Sequence, residues 1–241
     1  AYRALTLDNG LKVLLVQDKD ATKAAASMAV NAGHFDDPVD RQGLAHFLEH
    51  MLFLGTDQFP DSGSFNNFVS QAGGNTNAWT GTEHTCYFFD INNQEFEHAL
   101  KQFSRFFIAP LLNAAETEKE RNAIEAEFKL KIKDDGRRIY QVHKETVNPA
   151  HPFAKFSVGN LQTLADRERC ISDELRDFFK QFYQAQYMTL VICANEELDT
   201  LQAWTKQYFS AVCGNAKQPK PAISAPLYRA QDLGKLLHIE P

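Results

Sequence analysis

The segment Gly43-Leu44-Ala45-His46-Phe47-Leu48-Glu49-His50-Met51-Leu52-Phe53-Leu54 carries three polar side chains among otherwise apolar residues. At about 100° per residue, a helix places His46 and His50 roughly 40° apart on one face, and Glu49 roughly 60° from His46. Phe47, Leu48, Met51 and Leu52 cover the rest of the circumference, and a helix apolar on nearly every side is a buried one. The chain must therefore enclose this helix and supply partners for two imidazoles and a carboxylate. A metal ion suits such a set. The competing reading is a pair of core histidines satisfied by each other or by backbone carbonyls.

A chain of 241 residues, 44% hydrophobic and with 19 Phe, can build that enclosure without disulfides. Lys and Arg number 25 against 31 Asp and Glu, a formal charge of −6 with no basic stretch, which argues against nucleic acid as a partner. No run approaches the roughly 18 apolar residues of a membrane span, so the expectation is a soluble protein, cytoplasmic or periplasmic. Cys86, Cys170, Cys193 and Cys213 are widely spaced and read as isolated core thiols.

The periodicity predicts an α+β fold, a mostly antiparallel sheet of about six strands packed against helices. Leu5–Asp8 and Leu11–Val16 flank the turn residues Asn9 and Gly10 and read as a hairpin. Further strands are expected at about Ala24–Ala32, Asn75–Thr82, His84–Asn92 and Met188–Ala194, with Tyr87-Phe88-Phe89 marking the interior. Helices are expected at Gly43–Leu54, from Pro60-Asp61-Ser62-Gly63 to Gly73, and from Asn93 to Phe107. A long charged helix starts near Asn113 and reaches Lys133 or beyond, where Asp134-Asp135-Gly136 is a possible break. Two more are expected at Ser172–Tyr183 and Glu196–Val212. Residues 1–214 form one domain in this reading. Residues 215–241 hold a Pro-rich linker, Lys217–Pro226, and the start of another unit, with Leu233–Ile239 its first strand.

A catalytic zinc site takes three protein ligands and keeps one position open, so His46 and His50 need a third. In the long helix, Glu120 and Glu127 fall about 20° apart, two turns from each other. Ala123, Ile124, Phe128 and Leu130 flank their line, while Asn122, Glu125, Lys129 and Lys133 turn outward. Lys131 also lies near the inward line, and a solvated charged helix is the alternative at this point.

The motif around His46 and His50, continued through Gly55-Thr56, resembles the signature of the pitrilysin/insulysin family of inverted-motif zinc peptidases. The likeness extends through Gly73–Thr80, Glu83-His84-Thr85, Glu120–Glu127, Asn148–Phe153 and Gly159-Asn160, and is strongest to the insulysin-like branch. The resemblance implies one Zn2+ per chain on His46, His50 and Glu127. It implies Glu49 as the general base that works on a zinc-activated water, and Glu120 as an acidic residue supporting the site. It places an extended peptide substrate along the edge strand of Asn77, Ala78 and Thr80. Trp79 and Phe53 are then expected to wall a side-chain pocket, with plain sheet packing the equal alternative for Trp79. Leu48 stands where some relatives carry a cysteine, so thiol sensitivity is not implied. The likeness covers only the first of four homologous domains, so the chain reads as the N-terminal catalytic domain of a larger metalloendopeptidase. Its partners are then peptides and the C-terminal domains of the same polypeptide, with residues 215–241 the truncated start of the second domain. The alternatives are a metal- and peptide-binding domain inactive without those partner domains, and a zinc hydrolase of small amides. No role falls to His34, His98, His143, His151 or His238, which read as surface or loop residues, and only His84, beside the edge strand, merits attention.

Overall fold

A computed structural model describes residues 1–214, 220 and 222–239. Six strands, β1 (Tyr2–Thr6), β2 (Lys12–Gln17), β3 (Lys23–Val30), β4 (Asn75–Thr80), β5 (Thr85–Asn92) and β6 (Met188–Ala194), form one sheet in the order β1-β2-β6-β3-β5-β4. Every pairing is antiparallel except β2 with β6, in agreement with the α+β reading. Strand β6 returns late in the chain to separate β2 from β3, and β1 and β4, each with one partner, are the edges.

Strict alternation sets the faces. In β3, Ala24, Ala26, Met28 and Val30 are buried, and in β5 the same side carries Tyr87, Phe89 and Ile91. Phe88 points to the other face and is partly exposed, so the triplet Tyr87-Phe88-Phe89 is interior only at its two ends. Seven α-helices cover the sheet: α1 (Leu44–Met51), α2 (Ser64–Gln71), α3 (Phe96–Phe106), α4 (Ala114–Lys131), α5 (Asp135–Thr146), α6 (Ile171–Phe182) and α7 (Leu198–Phe209). A phenylalanine cluster fills the space below the sheet, with Phe65, Phe89, Phe103, Phe106 and Phe107 in edge or tilted ring contacts. Helix α1 packs between α4, α6 and β4, so the polar trio is placed where these elements meet.

The first strand lies earlier than Leu5–Asp8, because the register Thr6↔Lys12 makes Leu7–Leu11 the closing pair and leaves Asp8–Gly10 as the loop. The charged helix ends at Lys131. Asp134 accepts from the Arg137 amide at 2.8 Å and starts α5, so the Asp-Asp-Gly stretch is a break with its own cap. Ala123 and Leu130 turn outward, whereas Glu125 faces the body and accepts from the Leu161 amide at 2.9 Å. Cys170 and Cys213 lie at the surface rather than in the core. Residues 233–239 form no strand, since neither edge of the sheet receives them and Leu236 stands fully exposed. Of the Pro-rich stretch, residues 217–219 and 221 lie outside the described residues. Pro226 and Leu227 bind back through their carbonyls to Asn148. No helix among the described residues is long and apolar enough to cross a membrane.

Candidate metal centre

Helix α1 begins at Gly43, whose φ of +97° is left-handed and whose Cα lies against Gly159; a Cβ there would meet the Gly159 Cα at 2.3 Å. The buried Asp37 carboxylate accepts the Gly43 and Ala45 amides, both at 2.7 Å, and satisfies the start of the helix. Burial pushes Asp37 up to about 7, against the pull of those two amides. Helical spacing then projects His46, Glu49 and His50 toward α4 and β4.

The two imidazoles face each other with Nε2 atoms 3.2 Å apart. Glu127 Oε2 lies 3.6 Å from His46 Nε2 and 3.7 Å from His50 Nε2. The Val158 carbonyl, 2.7 Å from His46 Nδ1, can only accept, so Nδ1 carries the proton and Nε2 a lone pair. Glu120 Oε1 lies 2.7 Å from His50 Nδ1 and fixes the same tautomer there. Three lone pairs thus converge on one point, a repulsive arrangement without a cation and the donor set of a tetrahedral zinc ligand face, whose donors stand about 3.3 Å apart at zinc–nitrogen distances near 2.05 Å. These three residues form the group whose donor atoms could hold a metal among the described residues.

Burial, then the neighbouring His50, pushes His46 down to about 4, which leaves it neutral near pH 7. Burial acts in the same sense on His50, but the Glu120 bond and the carboxylates of Glu49, Glu120 and Glu127 outweigh it and hold His50 above its ordinary value. At Glu127 burial is outweighed by Lys131, whose Nζ donates to Oε1 at 2.5 Å, and by the imidazoles, so the carboxylate stays ionised. Burial raises Glu49, which is 7% exposed, against the Thr80 hydroxyl that donates to its Oε2 at 2.5 Å.

Asn77, Ala78, Trp79 and Thr80 form one wall of a cleft of about 370 Å3 whose floor is His46, Glu49, His50 and Glu127. A groove of about 760 Å3, mostly apolar, adjoins it through Lys131, Arg137, Ser157 and Val158. The Gly81 amide donates to His84 at 2.8 Å and continues the β4–β5 ladder, so alternation turns the backbone groups of Thr76, Ala78 and Thr80 to the open edge. The Ala78 amide there meets only the Asn77 side chain, at 2.9 Å. Trp79 lines the cleft with His84 against its ring, centroids 4.5 Å apart. Phe53 does not line it; its ring packs on Tyr87 and Phe106 in the core.

A family model described as Insulinase (Peptidase family M16) matches residues 12–150, more than half of the chain. The chain belongs to this peptidase family. A second M16 model, Peptidase M16 inactive domain, matches residues 170–235. Across its full length the M16 chain is 43% identical to the A-factor-processing enzyme of Saccharomyces cerevisiae and 38% identical to the insulin-degrading enzyme of Mus musculus. It spans 24% of each of those proteins. The crystal structure of pitrilysin superposes with a TM-score of 0.92 at 37% identity, over 96% of this chain and 25% of that one. The pitrilysin/insulysin resemblance is thereby borne out.

Sequence reasoning finds His46, Glu49, His50, Glu120 and Glu127, and the structure brings all five together. It misses the Val158 carbonyl, which carries no side-chain signal. It also misses the Thr80 bond to Glu49 and the Lys131 pair with Glu127, although Lys131 at i+4 from Glu127 is a readable pairing. His34 is 3% exposed and belongs to the interior rather than to a surface loop.

Proposed function

We propose that this chain is the metal-bearing catalytic domain of a zinc-dependent metalloendopeptidase that cleaves peptides or small unfolded polypeptides. The observation that carries this reading is the convergence of His46 Nε2, His50 Nε2 and Glu127 Oε2 within 3.7 Å of one another beside an open strand edge. His46, His50 and Glu127 would hold the ion, and Glu120 and Val158 would orient the imidazoles. A bound zinc supplies Lewis acidity toward a water molecule and a scissile carbonyl.

The chain's own residues supply the rest. An extended peptide pairs with the outward backbone groups of Thr76, Ala78 and Thr80, a mode that reads main chain more than side chain. This seats the scissile bond over Glu49. The Glu49 carboxylate takes a proton from the attacking water and passes it to the leaving amide nitrogen as the C–N bond breaks. The Thr80 hydroxyl holds Glu49 Oε2 and leaves the other carboxylate oxygen for that transfer. The side chains of His46, His50 and Glu127 remain 14%, 24% and 29% exposed, so this chain alone does not exclude water and should turn over slowly.

Glu49→Gln separates the candidates. Peptide cleavage should fall by at least about 100-fold, the lower end of general-base contributions, with zinc content unchanged. Cleavage at the wild-type rate by Glu49→Gln would defeat the mechanism.

A further inference from the structure

Two cationic side chains are almost wholly covered among the described residues, Arg41 at 2% exposure and Lys144 at 0%. Arg41 is neutralised by Glu174 through two bonds of 2.6 and 2.7 Å. Among the described residues, Lys144 has no carboxylate within ion-pair distance. Its Nζ donates to His34 Nε2 at 3.0 Å and to the Lys155 carbonyl at 2.8 Å, and faces the rings of Tyr140 and Phe153 at 4.9 and 5.3 Å. The nearby Asp37 spends its oxygens on the start of α1. An ammonium without a counter-charge is a costly group to bury, and an apolar side chain of the same length would fill the space.

What Lys144 touches connects three parts of the site. His34 Nδ1 lies 3.2 Å from the Gly81 carbonyl, and the His34 and Phe35 amides bind the carbonyls of Gly81 and Thr82 in the turn that ends β4. Gly33 makes that approach possible, since a Cβ there would stand 2.5 Å from Gly81 O. Lys155, whose carbonyl Lys144 holds, sends its own Nζ to the carbonyls of Phe35 and Asp37, both at 2.6 Å, just ahead of α1. Three residues further on, Val158 holds His46. One polar path thus runs from the edge strand, through His34, Lys144 and Lys155, to the start of α1 and the carbonyl behind a metal ligand.

We propose that Lys144 is a positioning residue that fixes the β4–β5 turn and the Lys155–Val158 segment relative to α1, so that the peptide-binding edge and the metal ligands keep one register. This rests on the metallopeptidase reading above. Its action is indirect, through Gly81 and Thr80 on one side and Val158 on the other.

The test is Lys144→Met, which keeps an apolar stem up to the position of Cε and removes the side-chain donors. The expected result is at least a tenfold loss of zinc affinity in chelator competition and altered d–d bands of the cobalt(II)-substituted protein. Amide exchange at Gly81–His84 should quicken, while the far-ultraviolet spectrum is kept. Lys144→Gln, which retains uncharged donors at shorter reach, should recover part of each change. Wild-type zinc affinity, cobalt spectrum and turn exchange in folded Lys144→Met would overturn the proposal. So would failure of both variants to fold, which would assign Lys144 to stability alone. If the wild type takes up neither zinc nor cobalt, the metal reading fails, and exchange at the turn decides the proposal by itself.

Discussion

His46 and His50 differ in what stands behind them. A neutral carbonyl accepts from His46, whereas His50 is backed by the Glu120 carboxylate, which stiffens the ring and raises its basicity. Glu120→Gln keeps an acceptor for His50 Nδ1 and removes only the charge. It should weaken zinc binding about 10- to 100-fold, read by chelator competition, with little change in thermal midpoint. Lys144 makes a separate prediction in pH. Burial depresses it to about 8 from an ordinary 10.5. Below pH 8 the ammonium is charged in folded and unfolded chains, and the burial penalty is fully present. Between pH 8 and 10.5 only the unfolded chain binds the proton, so the penalty is relieved as pH rises. The charged group that acts on it is Asp37; His34, pushed down to about 3 by burial and by Lys144, stays neutral throughout. Urea unfolding of wild type and Lys144→Met at pH 7 and 10.5 should therefore differ by a drift of about 3 kcal/mol toward the wild type. No drift would mean that Lys144 is not held charged in the interior.

Helix α1 and the segment ending at Gly159 meet at a contact that leaves no room for a side chain. Gly43 is left-handed, and an added Cβ would overlap the Gly159 backbone. Gly43→Ala should lower the thermal midpoint and displace the Val158 carbonyl from His46, so that zinc affinity falls along with stability. Zinc affinity kept in full by a destabilised Gly43→Ala would show that the contact serves folding only. At this scale the sequence is most readable where a period carries the message. The His46, Glu49 and His50 positions follow from helical spacing; spacing offers Glu120 and Glu127 together, and the family resemblance singles out Glu127 as the third ligand. Ala123, Leu130 and Glu125 depart from the helical-wheel expectation because α4 is polar on most sides. With so weak an apolar stripe, burial is decided by what packs on it, such as Leu161 on Glu125. The covered Lys144 was invisible for the same reason: burial of a lysine is a property of its neighbours.

Over the whole molecule, six strands and six of the seven covering helices are legible from alternation and caps; α5 does not separate from the long charged helix, and the order of the strands is not readable. Nothing local in Met188–Ala194 marks it for insertion between β2 and β3, and nothing local tells that β5 rather than β4 pairs with β3, the pairing that puts β4 at the edge and gives the cleft its open strand. The edge lies beside His46, Glu49 and His50 because α1 packs on β4, so one arrangement serves both halves of the proposed chemistry. The proposed chemistry depends on the three converging donors. Zinc per chain, measured by atomic emission after purification without added metal or chelator, tests them most directly when wild type and Glu127→Gln are compared. About one zinc in the wild type and far less in the variant is the expected result; zinc retained equally by both would remove Glu127 from the site and contradict the account.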